Sequence, residues 1–344
     1  MRPSEFEWIE QLACRFGSGD VGGGLVSIGD DAAVVPMIRR GEAGSNEEAL
    51  VISVDAQVEG VHFRPEWIGS HDLARRLLHV GFSDVAAMGA SALYALVSVE
   101  VGPSFDEADL AAFTDGMKTG LDELGARLIG GNVSSRTGGF SAHVTAIGGQ
   151  QLDRILYRNG ARPGDGIYVT GNLGSAAAAI RALSSSSPGI RAIPQFLLDA
   201  YRHPYAHIRE GLILAESGWA TSAIDISDGL APDLGHVCKA SGVGATIEME
   251  SLPVADELRQ WMGNDLTAID SIALAGGEDY ILLFTARDDT AREAVTKSRF
   301  EDFGGRFWRI GTVTQDPAMT ARRAGRVEPI APRGFDHLRD SAPR

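Results

Sequence analysis

Four short acidic motifs hold the residues best suited to chemistry: Gly29-Asp30-Asp31-Ala32, Ser53-Val54-Asp55, Ser83-Asp84 and Asp225-Ile226-Ser227-Asp228-Gly229. Each is ordinary when taken alone. Asp-Asp after Gly forms a turn or caps a helix, Asp55 ends a strand, and Asp-Gly is a common turn pair. The set is harder to dismiss. Ser83 and Asp84 sit inside the apolar segment Val80–Ala90, and Asp55 follows the apolar run Ala49–Val54. Carboxylates in such places lose water on folding and need something cationic to compensate. No basic residue lies within the four motifs. Mg²⁺ would compensate, and it prefers carboxylates, water and substrate phosphates as ligands. A shared divalent-cation site accounts for all four motifs, provided that the fold gathers them.

Two glycine pairs supply a complement. Leu128-Ile129-Gly130-Gly131-Asn132 and Leu274-Ala275-Gly276-Gly277-Glu278-Asp279-Tyr280 both read as a strand followed by a flexible turn. Bare backbone N–H groups at such turns can approach phosphate oxygens, although plain strand–turn connections have the same pattern. Arg158 lies in the turn-rich stretch Tyr157–Asp165 and reads either as a phosphate contact or as a solvated loop arginine. His62, within Glu59-Gly60-Val61-His62-Phe63, is on its own a structural or surface residue. The chain lacks the Gly-x-x-x-x-Gly-Lys-Ser/Thr loop, the Gly-x-Gly-x-x-Gly fingerprint and the His-Glu-x-x-His motif, and no Ser/His/Asp triad is legible. A Walker ATPase and a Rossmann dehydrogenase are thereby disfavoured.

The elements that must hold these residues alternate in type. Ala49–Val54 reads as a buried strand, His71–Ala90 as a helix, Leu93–Val101 as a strand and Asp106–Leu124 as an amphipathic helix with Leu110, Phe113, Met117 and Leu121 on one face. Phe140–Ile147 alternates again. Gln150–Gly166 reads as the passage to a second domain. Beyond it come strands at Gly166–Thr170, Ala223–Ile226, Gly244–Met249, Tyr280–Thr285 and Arg309–Val313. Helices are expected at Ser175–Leu183, across Phe196–Gly218 with an interruption at Pro204, at Leu230–Ala240 and at Asp288–Phe300. The loop Ser184–Gly189 separates the first two of these helices. This alternation predicts α/β or α+β packing.

Composition sets the outer bounds. The 344 residues suit two domains, and 44% of them are apolar, enough for real cores. Forty-six acidic residues against 31 basic ones leave a net charge of −15, which argues against nucleic-acid and anionic-membrane partners. Glycine is abundant, at 42 residues, without low complexity. Two cysteines, Cys14 and Cys238, cannot build a disulfide framework and suit a reducing cytoplasm. The polar N-terminus does not read as a secretory signal. The uncharged stretches Val85–Val99 and Gly166–Ile180 fall short of the roughly 18–20 residues that span a bilayer.

In their order and spacing the motifs resemble the thiamine-monophosphate kinases of the aminoimidazole ribonucleotide synthetase superfamily. The likeness runs from about Ile28 to Leu338. It is carried by Ile28-Gly-Asp-Asp-Ala32, Ser53-Val-Asp55, Gly60-Val-His-Phe63, Ser83-Asp-Val-Ala-Ala-Met-Gly89, Gly130-Gly-Asn132, Arg162-Pro-Gly-Asp165, Asp225-Ile-Ser-Asp-Gly-Leu230, Gly276-Gly-Glu-Asp-Tyr280 and Gly334-Phe-Asp-His337. The resemblance implies a two-domain α/β (α+β) fold. Residues 1–150 would form an N-terminal ATP- and Mg-binding, dimerising domain with a mixed sheet and helices. Residues 151–344 would form an α/β domain that completes the site.

It further implies ATP-dependent phosphorylation of thiamine monophosphate to thiamine diphosphate by direct in-line transfer, in a cytoplasmic homodimer, with several Mg²⁺ ions. By carry-over, Asp30, Asp31, Ser53, Asp55, Asp84, Asn132, Asp225 and Asp228 would hold metal. Gly130, Gly131, Arg158 and Ser227 would lie on ATP. His62, Glu278 and Phe335 would contact the thiamine phosphate, with Phe335 stacking on a ring. No general base is expected, because the attacking phosphate oxygen is already ionised. Two departures stand out: Asn132 replaces the family's usual metal-binding Asp, and Val54 replaces its usual Thr. The competing readings are another ATP-using member of the superfamily and a catalytically weak homologue that binds thiamine phosphate or nucleotide.

Overall fold

The computed structural model describes residues 5–19, 25–37, 48–185 and 192–331. Helix α1 (Glu5–Phe16) comes first. A five-stranded sheet follows, in the spatial order β1-β2-β5-β3-β4. Its strands are β1 (Ala33–Pro36), β2 (Glu48–Val58), β3 (Ser91–Val101), β4 (Arg127–Ser135) and β5 (Ser141–Gln151). Neighbours are antiparallel except β3 and β4, which run parallel. Strand β2 alternates: Ala49, Val51 and Ser53 are buried while Val54 is 68% exposed.

Helix α2 (Ser70–Ala87) covers the buried face, and α3 (Glu107–Leu124) packs on α2. A Cβ on Gly81 of α2 would lie 2.4 Å from Val144 Cγ1 and 3.6 Å from Asp55 Cβ. The missing side chain therefore lets the helix sit directly on the sheet, which brings Asp84 down to Ser53 of β2. Helix α3 begins at a capping box, in which Asp106 accepts from the Asp109 N–H and Asp109 accepts from the Asp106 N–H.

The rest of the chain builds a second sheet of seven strands, ordered β12-β11-β8-β10-β6-β9-β7. These are β6 (Gly166–Val169), β7 (Ala220–Asp225), β8 (Gly244–Glu248), β9 (Leu282–Ala286), β10 (Trp308–Thr314), β11 (Met319–Arg323) and β12 (Arg326–Pro329). The connecting helices are α4 (Ser175–Ser184), α5 (Gln195–Arg202), α6 (Ile208–Ser217), α7 (Leu230–Ser241), α8 (Asp256–Trp261), α9 (Leu266–Ala275) and α10 (Thr290–Glu301). An aromatic cluster anchors one side of this sheet. Tyr168 stacks on Phe284 at 5.1 Å between ring centroids and meets Trp219 edge-on at 5.0 Å.

Three local expectations change. Strand β2 continues through Asp55 to Val58, because its full length pairs with β5. Gly130 and Gly131 lie inside β4 rather than in a turn after it. A Cβ on Gly131 would come within 1.8 Å of the Val97 carbonyl oxygen, so glycine there serves close strand approach. The segment before Gly276-Gly277 is helix α9, not a strand; it starts at Asp265, whose carboxylate accepts from the Thr267 and Ala268 N–H groups. Strands β1, β11 and β12 and helix α8 carry no sequence expectation at all.

Candidate active site

The acidic motifs converge. One carboxylate oxygen from each of Asp31, Asp84 and Asp225 lies within 4.8 Å of the others. Asp31 comes from the turn before β1, Asp84 from α2 and Asp225 from the end of β7. Two serines tie the group together. The Ser53 hydroxyl donates to Asp84, and the Ser83 hydroxyl donates to Asp225 at 2.6 Å.

Burial dominates the electrostatics. It raises Asp31 to about 6, against the opposing pull of Arg158, and raises Asp225 to about 7, with Asp31 adding to the shift. Burial likewise lifts Asp55 to about 7, and Asp225 and Glu278 push it the same way. Asp84 stands well above its ordinary value through burial and then through Asp225, Asp55 and Asp31. Such a cluster holds its protons near neutrality unless a cation replaces them. Asp31 Oδ2 is buried and has no hydrogen-bond partner. With the nearby carboxylates of Asp84 and Asp225 it makes an all-oxygen donor set, which fits a hard divalent cation such as Mg²⁺.

A positive charge does reach this cluster, from outside the motifs. Arg158 Nε donates to Asp31 Oδ1 at 2.7 Å, and Nη2 donates to the same oxygen. Asp30 turns elsewhere: both its oxygens accept from the Arg158 N–H at 3.2 Å, and one accepts from the Asp31 N–H at 3.0 Å. In this structure Asp30 therefore clamps the loop that delivers Arg158, and the Arg158 guanidinium lies on a carboxylate. The motifs themselves hold no basic residue, and their cation comes from the Tyr157–Asp165 stretch.

Two loops meet beside the cluster. Asp233 accepts from the N–H groups of Ser227, Asp228 and Gly229 at 3.1, 3.1 and 3.2 Å, fixing the first loop. The second loop hydrogen-bonds to it: the Glu278 N–H donates to the Ser227 carbonyl and the Tyr280 N–H to the Ile226 carbonyl, both at 2.8 Å. Glu278 and Tyr280 have left-handed backbones, with φ of +74° and +50°. Between them, Asp279 accepts from the Gly174 N–H ahead of α4 at 2.9 Å, and burial raises its carboxyl to about 8. Asp228, Gly276, Gly277 and Glu278 line a cavity of about 430 Å³ together with Ile180 and Arg181.

The remaining expected site residues lie apart or outside. His62 sits after β2, where its Nδ1 accepts from the Val58 N–H at 3.1 Å and its carbonyl accepts from the Tyr201 hydroxyl at 3.1 Å. Gly130, Gly131 and Asn132 lie on the edge strand β4. The register runs from Asp55 to Val144, from Val144 to Val97, and from Val97 to Gly131. Three strand spacings of about 4.8 Å thus separate the glycine pair from Asp55, roughly 14 Å in all. Phe335, with the rest of Gly334–His337, lies outside the described residues, as does part of the Ser184–Gly189 loop. Sequence reasoning passed over Asp233, Asp279, Ser83 as a partner of Asp225, and Arg76, whose guanidinium pairs with Glu278. A signal existed for Asp233, in an acidic residue five positions after Asp228. Arg76 offered none, since its partner lies 202 residues away.

Two family models match the chain: the AIR synthase related protein N-terminal domain over residues 29–149 and the corresponding C-terminal domain over residues 162–323. A thiamine-monophosphate kinase of Escherichia coli strain K12 is 35% identical over 315 residues, covering 91% of this chain and 92% of its own. The chain belongs to the thiamine-monophosphate kinase family. A solved family structure, AaThiL complexed with AMPPCP and TMP, superposes with a TM-score of 0.81 at 28% identity, covering 98% of this chain and 99% of that one. The family's member from Stenotrophomonas maltophilia K279a is 32% identical with a TM-score of 0.72, over 91% of this chain and 94% of its own. E. coli HypE, a hydrogenase maturation protein, shares the fold alone, at 16% identity and a TM-score of 0.67 over 83% of this chain and 87% of its own. Among the described residues, no helix is long and apolar enough to cross a membrane.

Proposed function

We propose that this protein transfers the γ-phosphoryl group of ATP to the phosphate of thiamine monophosphate, giving thiamine diphosphate and ADP. The observation that carries this reading is the meeting of Asp31, Asp84 and Asp225 beside the paired Ser227–Gly229 and Gly276–Tyr280 loops. The relative that superposes over nearly the whole chain was solved with an ATP analogue and TMP.

The reaction needs no group to remove a proton, because the attacking phosphate oxygen is ionised near neutral pH. Positioning and charge neutralisation remain. Bound Mg²⁺ supplies that neutralisation between two anionic reactants. In this reading Asp31, Asp55, Asp84, Asp225 and Asp228 hold the metals, assisted by Ser53 and, with one charge fewer, by Asn132. Asp30 serves chiefly by fixing the loop of Arg158. Arg158 waits on Asp31 and exchanges that carboxylate for a nucleotide phosphate, alongside Ser227, Gly130 and Gly131. His62, Glu278 and Phe335 receive the thiamine phosphate. Residues 1–150 act as the ATP, metal and dimer domain, and 151–344 complete the site. The protein works in the cytoplasm.

A homodimer belongs to the same proposal. The outer face of the first sheet leaves Val54, Tyr94 and Leu96 exposed, and edge strand β4 is solvent-facing along its whole length. A second copy on this face would cover the apolar patch and protect the open edge.

The test is a purified-protein assay with ATP, Mg²⁺ and thiamine monophosphate, read by thiamine diphosphate formation. Product at the rate of ADP release is the expected result. Asn132 favours one other reading, a binding homologue with little turnover; ligand binding without product would establish that reading instead.

A further inference from the structure

The reaction scheme leaves one buried cation without a role. Arg76 lies on α2, inside the N-terminal half, and is completely buried. All three guanidinium nitrogens are engaged. Nη2 pairs with the Glu278 carboxylate, Nη1 donates to the Tyr201 carbonyl, and Nε donates to Gln57 Oε1 at 3.1 Å. The planar group also lies over the rings of Tyr201 and Tyr280, at 4.6 and 5.7 Å. Gln57 belongs to β2, whereas Tyr201 and Glu278 belong to the C-terminal half. One side chain therefore joins both halves at the floor of the site.

Its partner is constrained in other ways. Glu278 is 2% exposed and held at φ +74°, and the Tyr280 hydroxyl donates to its Oε2 at 3.0 Å. Non-glycine residues keep a left-handed backbone only where the surroundings over-determine it. Hydrogen bonds to Ile226 and Ser227 hold the main chain of this turn. The Arg76 fork holds its side chain. Without a cation, a carboxylate so buried would be protonated or would turn toward water. Lysine would restore the charge but not the planar three-way grip.

We infer that Arg76 is a positioning residue: it fixes the Glu278 carboxylate and the Gly276–Tyr280 turn that lines the 430 Å³ cavity, and so sets the affinity for thiamine phosphate rather than for ATP. This inference rests on the proposed activity. Arg76 does not line the cavity and acts only through Glu278.

The test compares Arg76→Met, Arg76→Lys, Glu278→Gln and the Arg76→Met/Glu278→Gln double variant. KM is measured separately for each substrate, with thermal unfolding alongside. Arg76→Met raises KM for thiamine monophosphate about tenfold and moves KM for ATP less than about twofold, the pattern of a lost contact specific to one substrate. Arg76→Lys recovers part of the loss. The double variant is no worse than Glu278→Gln alone, because Arg76 acts only through Glu278. Should Arg76→Met not fold, Arg76→Lys carries the same comparison. The inference is overturned if both KM values rise in parallel, if the losses add in the double variant, or if the unfolding temperature falls while KM for thiamine monophosphate stays put. A wild-type chain that makes no thiamine diphosphate overturns the proposed activity and this inference with it.

Discussion

Asp84 and Asp225 each accept a serine hydroxyl and face one another across the join between α2 and β7. An Asn at either position keeps the shape and the hydrogen bond but removes a charge. Asp84→Asn and Asp225→Asn should each lower kcat by at least about a hundredfold, with circular dichroism and the unfolding temperature close to wild type. Full activity in either variant would remove the proposed metal cluster from the mechanism. Asn132 tests the same idea from the other side. Asn132→Asp should tighten one Mg²⁺ site and hold or raise turnover, seen as a lower Mg²⁺ concentration at half-maximal rate. An unchanged Mg²⁺ titration would show that this position contributes no ligand. The types of these residues were legible in the sequence because carboxylates inside apolar segments are unusual. Their partners were not: Arg158 meets Asp31 across 127 residues, and no local pattern encodes that distance.

At the level of elements, α2 is the piece that delivers chemistry. It carries Arg76, Ser83 and Asp84, and it lies on β2 and β5 only because Gly81 has no side chain. Gly81→Ala would bring a methyl group against Val144 Cγ1, so the helix or Val144 must move. The expected result is a loss of about 1–3 kcal/mol in stability, as for overpacked cores, with a larger proportional fall in kcat because Asp84 moves with the helix. Adding Val144→Ala should return most of both, as read by denaturant melts and steady-state rates. If Gly81→Ala alone is neutral in both measurements, the close approach is not what seats Asp84. Sequence patterning located α2 and α3 well, since apolar period is a local property. It placed a strand at Leu274–Ala275 and a turn at Gly130-Gly131, and both were wrong for one reason. Short apolar runs beside glycine pairs do not distinguish a helix end from a strand, or a strand interior from its exit; tertiary partners decide.

For the whole molecule, the buried acid links stability to pH and to metal. Folding raises Asp31 to about 6 and both Asp55 and Asp225 to about 7, from 3.8. Between those limits the folded chain binds more protons than the unfolded chain, so stability falls as pH rises through this window. Metal-free protein should therefore melt at a lower temperature at pH 8 than at pH 5.5. On the proposed function Mg²⁺ would bind the ionised cluster of the folded chain, and the stabilisation it confers should then grow with pH. Differential scanning fluorimetry in EDTA and in Mg²⁺ at the two pH values reads both signs. A Mg²⁺ shift that is equal or larger at pH 5.5 would contradict the proposed address of the cation.

The chain's own order of residues determined a mixed α/β protein with acidic motifs at intervals, because side-chain period, caps and the chemistry of buried carboxylates are written over a few neighbouring positions. It also carried the family likeness, which depends on motif order alone. Only the tertiary structure decided which carboxylates share a site, that Arg158 and Asp30 serve one loop, that Asp233 and Asp279 brace two others, and that Arg76 reaches Glu278. Those outcomes depend on how two sheets and their helices close on one another. Burial then makes each pairing compulsory, since a charge removed from water must find its partner wherever the fold brings one.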